Sequence, residues 1–343
     1  MNVAYHCSDL FAPILCISIV SLLENNKDIY EINIYVIEHN VSDNNKNKIK
    51  EYVRKYGRSL FFIPMPDINQ TEDLNLIKVK KKWIFDSYCR LFLHHLLPES
   101  VERVLYLDSD VCVLGTLAEL WSLDLHDKCV AAVSECLSES YYKLFDFDND
   151  SKYCNSGVIL FDLKIWQSLK MDDEIRNYIK KNNGYVFFME QTVFSYITQG
   201  KVYTLPLKYN ITSITQILNY DELFKLRKFS RFYSKDEVDF SLSNPKIIHM
   251  TSSFFIKNRV WNDNTNHPMK HVYKTYVDLI SWGSKTFSKD NRTLKQRLID
   301  YFVQFCPKAI LLPIVSFVYN CVRIKLIERK MNKIRARNRN SEI

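Results

Sequence analysis

The chain of 343 residues is 47% hydrophobic, enough to bury a full core, and it exceeds the usual single-domain range, which favours one large α/β domain with an appendage. Nine cysteines without a CxxC pair or regular spacing argue against a disulfide framework and for reduced thiols in a cytosolic compartment. The net charge of +8 is local: from Arg323 onward eight lysines and arginines stand against Glu328 and Glu342, a surplus of six that leaves the body nearly neutral.

The opening MNVAYHCSD lacks the basic segment and long apolar run of a secretory signal. Apolar runs at Asn2 to Tyr5, Asn33 to Ile37 and Leu60 to Ile63 read as strands, separated by helices at Ala12 to Glu24 and Asn44 to Tyr56. Such alternation predicts a parallel sheet covered by helices. A helix over Ile84 to Leu97, stopped by Pro98, leads into a strand at Arg103 to Leu107. A buried strand at Ser156 to Phe161 precedes a helix over Leu163 to Lys181. Glu190 to Thr198 reads as helix and Lys246 to Met250 as a late strand. No internal repeat is present, and six glycines with neither GxGxxG nor GxxxxGK(S/T) exclude a glycine cradle for phosphates.

The sharpest feature is RVLYLDSDVCVLG, where an apolar strand runs into Asp108, Ser109 and Asp110. Carboxyl ends of strands in an α/β sheet face the ligand crevice. Two adjacent carboxylates repel unless a cation lies between them, and a hard divalent ion with oxygen ligands would also bridge a diphosphate. The competing reading is an ordinary acidic turn, since Asp and Ser favour turns.

LYLDSDVCVLGTLAELW, together with DSYCRLFLHHLLPE upstream, resembles glycosyltransferase family 8, whose bacterial members include lipopolysaccharide and lipooligosaccharide galactosyl- and glucosyltransferases, over about residues 1 to 282. The resemblance implies a single nucleotide-sugar-binding domain of the GT-A type, α/β with a mostly parallel sheet. It also implies a UDP-hexose donor and Mn²⁺ or Mg²⁺ held by Asp108, Asp110 and His249, the last from KIIHMTSS. Ser109 stands between the acids and is counted with the donor contacts. The family's uracil- and ribose-gripping motif maps onto His6, Ser8 and Asp9, though Leu10 stands where Asn is common, and Asp9 taken alone is also a helix cap. Arg90 occupies the place of a donor-contacting arginine, the alternative being a structural ion pair.

In YCNSGVILFDL, Asn155 and Ser156 are implied to hydrogen-bond the donor hexose and Gly157 to permit close approach; Asn before Gly is also a turn signal. FFMEQTVF places Glu190 and Gln191 where the family has Asp and Gln facing the sugar, and these are the implied catalytic pair. The family's KPW lid is replaced by SSFFIKNRVW, in which Lys257 or Arg259 supplies the charge to the diphosphate and Trp261 the indole.

The sequence divides into a catalytic domain at 1–282 and a basic, amphipathic helical tail at 283–343. The tail's apolar stretch between Lys308 and Arg323 is fourteen residues, short of the ~20 of a spanning helix. It reads as a peripheral attachment to an anionic membrane on the cytoplasmic side, with a core-packing helix and solvated end as the alternative. The implied activity is retaining hexosyl transfer to a glycolipid or oligosaccharide acceptor. A sugar nucleotidyltransferase would want a Gly- and Lys-rich loop, which HCSDLFAP is not, and a nucleic-acid-binding tail is disfavoured by the adjacent apolar segment, so no nucleic-acid partner is expected.

Overall fold

The computed structural model describes residues 1–66, 87–263, 265–282 and 292–339. Its centre is a seven-stranded sheet in the order β3-β2-β1-β4-β7-β6-β8. The strands are β1 (Asn2–Ser8), β2 (Asn33–His39), β3 (Ser59–Pro64), β4 (Arg103–Leu107), β6 (Val130–Ser134), β7 (Cys154–Asp162) and β8 (Val202–Leu205). Only β7 runs against its neighbours, β4 and β6; the other pairings are parallel.

Helices cover both faces, so the central strands are continuous apolar runs. Side chains alternate between two cores: Val3, Tyr5, Leu105, Leu107, Val158 and Leu160 enter one, while Ala4, Val104, Tyr106, Ile159 and Phe161 enter the other. The helix Ala12–Glu24, with proline in its first turn, is buried along almost its whole length because the sheet is not its only neighbour. It also packs on β5 (Val111–Val113) and on the helix Lys270–Val277.

A second sheet, in the order β5-β10-β9, joins β5 to β10 (Ile247–His249) and β9 (Ile211–Thr212). The antiparallel register of β10 on β5 opposes His249 to Val111, the residue after Asp110, and Met250 N–H donates to Asp110 C=O at 2.9 Å. A slip of one residue would turn the imidazole to the other face.

The expected helix over Leu163 to Lys181 is two helices, Leu163–Ser168 and Met171–Lys181. Lys170, at φ +51°, breaks the run after Leu169 N–H and Lys170 N–H have closed the first helix. The start of the helix expected over Ile84 to Leu97 lies outside the described residues. From Ser87 the chain forms a 3₁₀ segment to Phe92 and one α turn, Leu93–Leu96. The C-terminal helices are Leu294–Phe305, Lys308–Phe317 and Arg323–Arg339, the last two joined by a π turn at Val318–Val322. Leu312 and Val315 pack on the helix Tyr220–Arg227, and Ile324 and Ile327 pack on Tyr141 and Phe145. All nine cysteines are free.

Candidate active site

Strand β4 ends at Leu107, which pairs with Val158, and Asp108 N–H then donates to Gly157 C=O at 2.8 Å. The two sheets thus deliver Asp108 and Asp110 from one turn and His249 from β10 to a common point. His249 Nε2 lies 3.1 Å from Asp110 Oδ1 and 3.6 Å from Asp108 Oδ2. Ligand atoms ~2.1 Å from one cation are ~3 to 3.4 Å apart in octahedral or tetrahedral geometry, so these separations suit a shared ion.

The surroundings fit an ion as well. A Cβ on Gly157 would stand 2.2 Å from His249 Cε1 and 2.8 Å from Asp108 Oδ2, so only glycine lets the imidazole and carboxylate converge here. Asn210 Oδ1 lies 3.1 Å from His249 Nδ1 and accepts its proton, which leaves Nε2 aimed at the acids. Asn210 is itself fixed by donating to Asn155 Oδ1 at 2.8 Å, and Asn155 Nδ2 donates to Glu135 at 2.7 Å.

Charge is balanced closely around the acids. Arg90, buried over the Tyr106 ring, pairs with Asp108 Oδ1 at 2.9 Å, and Tyr106 Oη donates to the same oxygen at 3.0 Å. Arg259 Nη1 pairs with Asp110 Oδ2 at 3.1 Å. Burial works to raise the pKa of Asp110, but His249 and Arg259 outweigh it and hold the carboxyl at about 2. Burial likewise works to lower that of His249, and the Asp110 and Asp108 charges reverse the sign, so its pKa is raised.

Asp108, Asp110, His249 and Arg259 line a cavity of about 460 Å³ together with Asn155, Ser156, Glu190 and Gln191. Gln191 accepts from Ser156 N–H at 3.3 Å. Glu190 is buried and engaged on both oxygens, accepting from Ser87 Oγ at 2.6 Å and Ser156 Oγ at 3.2 Å, with Arg90 at 3.6 Å. Burial raises its pKa, against the pull of Arg90. The two residues before it, Phe188 (φ +58°) and Met189 (φ +53°), hold positive-φ conformations costing on the order of 1–3 kcal/mol each. The turn is secured by Thr192 Oγ1, which bonds Phe187 C=O and meets Tyr153 Oη at 2.9 Å.

A second, more apolar pocket shares Asp108 and Asp110 and extends over Ser109, His6, Cys7, Ser8, Leu10, Phe11 and Arg90. Ser109 Oγ donates to His6 C=O at 2.5 Å, tying the acidic turn to β1. Asp9 is not among the lining of this pocket; it accepts from Ser42 N–H at 2.8 Å and Asn45 Nδ2 at 2.7 Å, tying β1 to the helix Asp43–Lys55. Lys257, expected at the diphosphate, lines neither pocket. It stands over the Phe254 ring in a different cleft, beside Gln216, Asn266 and Cys306. Asn155 lines the main cavity with both ends of its amide already bonded, since Oδ1 also accepts from Gly157 N–H.

Sequence reasoning did not find Asn210, Glu135, Arg227, Tyr319 and Arg323, all at or behind the cavity wall. Nothing local marks them: Asn210 precedes a two-residue strand, Arg227 ends a helix where basic residues are common, and Tyr319 and Arg323 lie in the tail.

The family model for Glycosyl transferase family 8 matches residues 2–263. Among curated proteins the chain is 26% identical over 288 residues to General stress protein A of Bacillus subtilis (strain 168), covering 83% of this chain and 95% of that protein. It is 28% identical over 213 residues to the lipopolysaccharide 1,2-glucosyltransferase of Escherichia coli (strain K12), covering 61% of this chain and 62% of that one. The galactosyltransferase LgtC, solved with donor and acceptor sugar analogs, superimposes with a TM-score of 0.66 at 20% identity, covering 87% of this chain and 100% of its own. That likeness identifies the mixed, mostly parallel sheet as the GT-A type. With the family match running over most of its length, the chain belongs to glycosyl transferase family 8 and is a glycosyltransferase.

Proposed function

We propose that this enzyme moves glucose or galactose from a UDP-sugar to a lipopolysaccharide, lipooligosaccharide or other cell-surface glycan, with retention at the anomeric carbon. The observation that carries the reading is the convergence of Asp108, Asp110 and His249, whose ligand atoms all lie within 4.8 Å of one another at the meeting of two pockets. A divalent ion such as Mn²⁺ or Mg²⁺ held there would neutralise the departing diphosphate.

The chain's own residues divide the remaining work. The pocket over His6, Ser8 and Phe11 takes the nucleoside, with Ser109 holding its floor to β1. Arg90 orients Asp108 and Ser156 from beneath, and Arg259 rather than Lys257 stands where a diphosphate would gain a cation. Asn155 and Ser156 shape the hexose wall of the cavity. Of the acids lining it, Glu190 is tied down by Arg90, Ser87 and Ser156, so front-face attack by the acceptor hydroxyl is preferred to a covalent intermediate. Gln191, fixed through Ser156, supports the cationic sugar.

The experiment is UDP release from UDP-glucose and UDP-galactose by the purified chain with Mn²⁺. Release that stops on chelation, with an α-linked product from the α-linked donor, is the expected result. Release indifferent to chelator, or an inverted product, would overturn the reading. In Gln191→Ala, turnover should fall about a hundred-fold with little change in donor affinity.

The division into a catalytic domain at 1–282 and a tail belongs to the same proposal, as does attachment to the cytoplasmic face of the membrane. In its support, Leu294, Leu298, Tyr301, Phe302 and Phe305 form one exposed apolar face, continued by Ile310, Ile314, Phe317 and Leu326. The helix Lys308–Lys333 is long and apolar enough, by length and composition, to cross a bilayer. Its inner face, with Leu311, Leu312, Ser316 and Ile327 buried, is occupied by the body, which favours lying on the surface. Flotation with anionic but not neutral vesicles tests this, and equal flotation with both would remove the electrostatic part.

A further inference from the structure

The tail supplies part of the wall of the main cavity. Tyr319 and Arg323 line it with Arg227, Phe188 and Leu137. Arg227 lies over the Tyr319 ring at 4.1 Å, and Arg323 lies 4.5 Å from the Phe188 ring centre and 5.5 Å from that of Tyr319. Such stacking holds a guanidinium by its face and leaves its N–H edge for a ligand.

The positions are rigidly set. A π turn, which displaces side chains from the regular helical path, places Tyr319 and Arg323 at the cavity. Tyr141 Oη donates to the Tyr319 carbonyl at 2.8 Å. Asn320 Nδ2 donates to the carbonyl of Leu226, the neighbour of Arg227, at 3.0 Å. The tail is thereby pinned to the helix that carries the other arginine.

What distinguishes this pair is the lack of counter-charge. Arg90 and Arg259, beside the acidic turn, are each paired with a carboxylate. Among the described residues neither Arg227 nor Arg323 has a carboxylate within 4 Å, and Arg227 Nε is buried without a hydrogen-bond partner. Glu135 is the remaining acid on this wall, and its Oε1 is occupied by Asn155. Two guanidiniums with no ion pair of their own therefore stand near Glu135 on the cavity wall.

We propose that Arg227 and Arg323 form an acceptor subsite that binds an anionic group, phosphate or carboxylate, on the incoming glycan, with Tyr319 and Phe188 beside its sugar ring. The nucleoside pocket is lined by β1 and the acidic turn and by neither arginine, so the main cavity that both arginines line is left for the donor hexose and the second substrate. Guanidinium forks match both anions bidentately. The inference rests on the glycosyltransferase reading above and assigns the tail a part in substrate choice.

The test uses the full chain saturated with Mn²⁺ and UDP, so that the donor phosphate site is filled. Glucose 6-phosphate, glucuronate and glucose are titrated by calorimetry. The anionic sugars should bind at least about ten-fold more tightly than glucose, and the first two arms separate phosphate from carboxylate. Arg227→Gln and Arg323→Gln should each weaken the favoured anion about ten-fold, with UDP affinity moving less than two-fold, and Arg323→Lys should recover part of the loss. Equal binding of all three sugars, or variants that bind the anion like the parent, would make the arginines a clamp for the tail and end the proposal. Loss of UDP affinity in the variants would place them in the donor site and end it too. Failure of the parent to bind UDP with Mn²⁺ would instead strike the donor reading.

Discussion

Two clusters in this protein have nearly the same ligands and different surroundings. Asp108, Asp110 and His249 converge at the cavity, while His94, His95 and Asp172 converge elsewhere on the body; in each the ligand atoms lie within 4.8 Å of one another. At the second cluster both imidazole Nε2 atoms meet a single oxygen, Asp172 Oδ2, at 3.1 and 2.7 Å. Burial opposes ionisation of Asp172, yet the two histidine contacts lower its pKa, and the acid sits in the first turn of a helix, where negative charge is favoured. His95 is largely exposed and none of the three lines the main cavity.

At the first cluster each group has a separate holder: Asn210 for His249, Arg90 and Tyr106 for Asp108, Arg259 for Asp110. Independent orientation of each ligand, and the space left by Gly157, set the first cluster apart from the second.

The comparison breaks most directly at Asp110. Asp110→Asn should lower Mn²⁺-dependent transfer about a hundred- to a thousand-fold, because an amide binds a hard cation weakly and leaves the diphosphate charge uncompensated. Near-parent rates would remove the cluster from the chemistry. Gly157→Ala asks whether space matters as argued: the added methyl must displace His249, and Mn²⁺ affinity should fall about ten- to a hundred-fold with the parent circular dichroism retained. Unchanged affinity would mean that the ring moves at no cost.

The role of carboxylates in setting a histidine's charge is sharpened by His267. It is buried with Nδ1 accepting from Met269 N–H at 3.1 Å and Nε2 at 3.0 Å from Ser213 Oγ, and among the described residues no acid faces it. Burial, helped by the Arg259 charge, lowers its pKa to about 4, opposite to His249. The folded state then binds fewer protons than the unfolded state, so the His267 contribution to stability is full above pH ~6.5 and is lost as pH falls to ~4. The loss amounts to about 3 kcal/mol. Denaturant titrations of His267→Asn, whose Oδ1 keeps the Met269 bond, should show a shallower fall over that range; an unchanged slope would contradict the neutral ring. The smallest effect belongs to the second cluster. His95→Ala should change stability by about 0.5 kcal/mol or less and leave the Mn²⁺-induced rise in melting temperature intact, whereas a lost rise would show that the exposed cluster is the one that takes the ion.

Much of the body was legible in the chain. The helix Ala12–Glu24 and the strand Arg103–Leu107 have the bounds their apolar pattern suggests, because both are covered on every side and their period is unambiguous. The break at Lys170 was not, since a lysine in the left-handed region has no sequence mark as a glycine would. The acidic turn after β4 was legible for the same reason as the strand. The choice of Arg259 over Lys257 was not, because two residues' separation in a loop does not say which side chain turns toward Asp110.

By itself, then, the sequence determined the alternating elements, the acidic turn at a strand end and the basic, apolar tail, all of which depend on local periodicity and composition. The tertiary structure decided how His249, already marked by its motif, meets the acids, through the register of β10 on β5, and which amides hold it. It also decided that the tail closes the cavity with Tyr319 and Arg323. Those outcomes join residues far apart in the chain, 139 positions for Asp110 and His249, and only packing and strand register, neither of which has a local signature, bring such residues together.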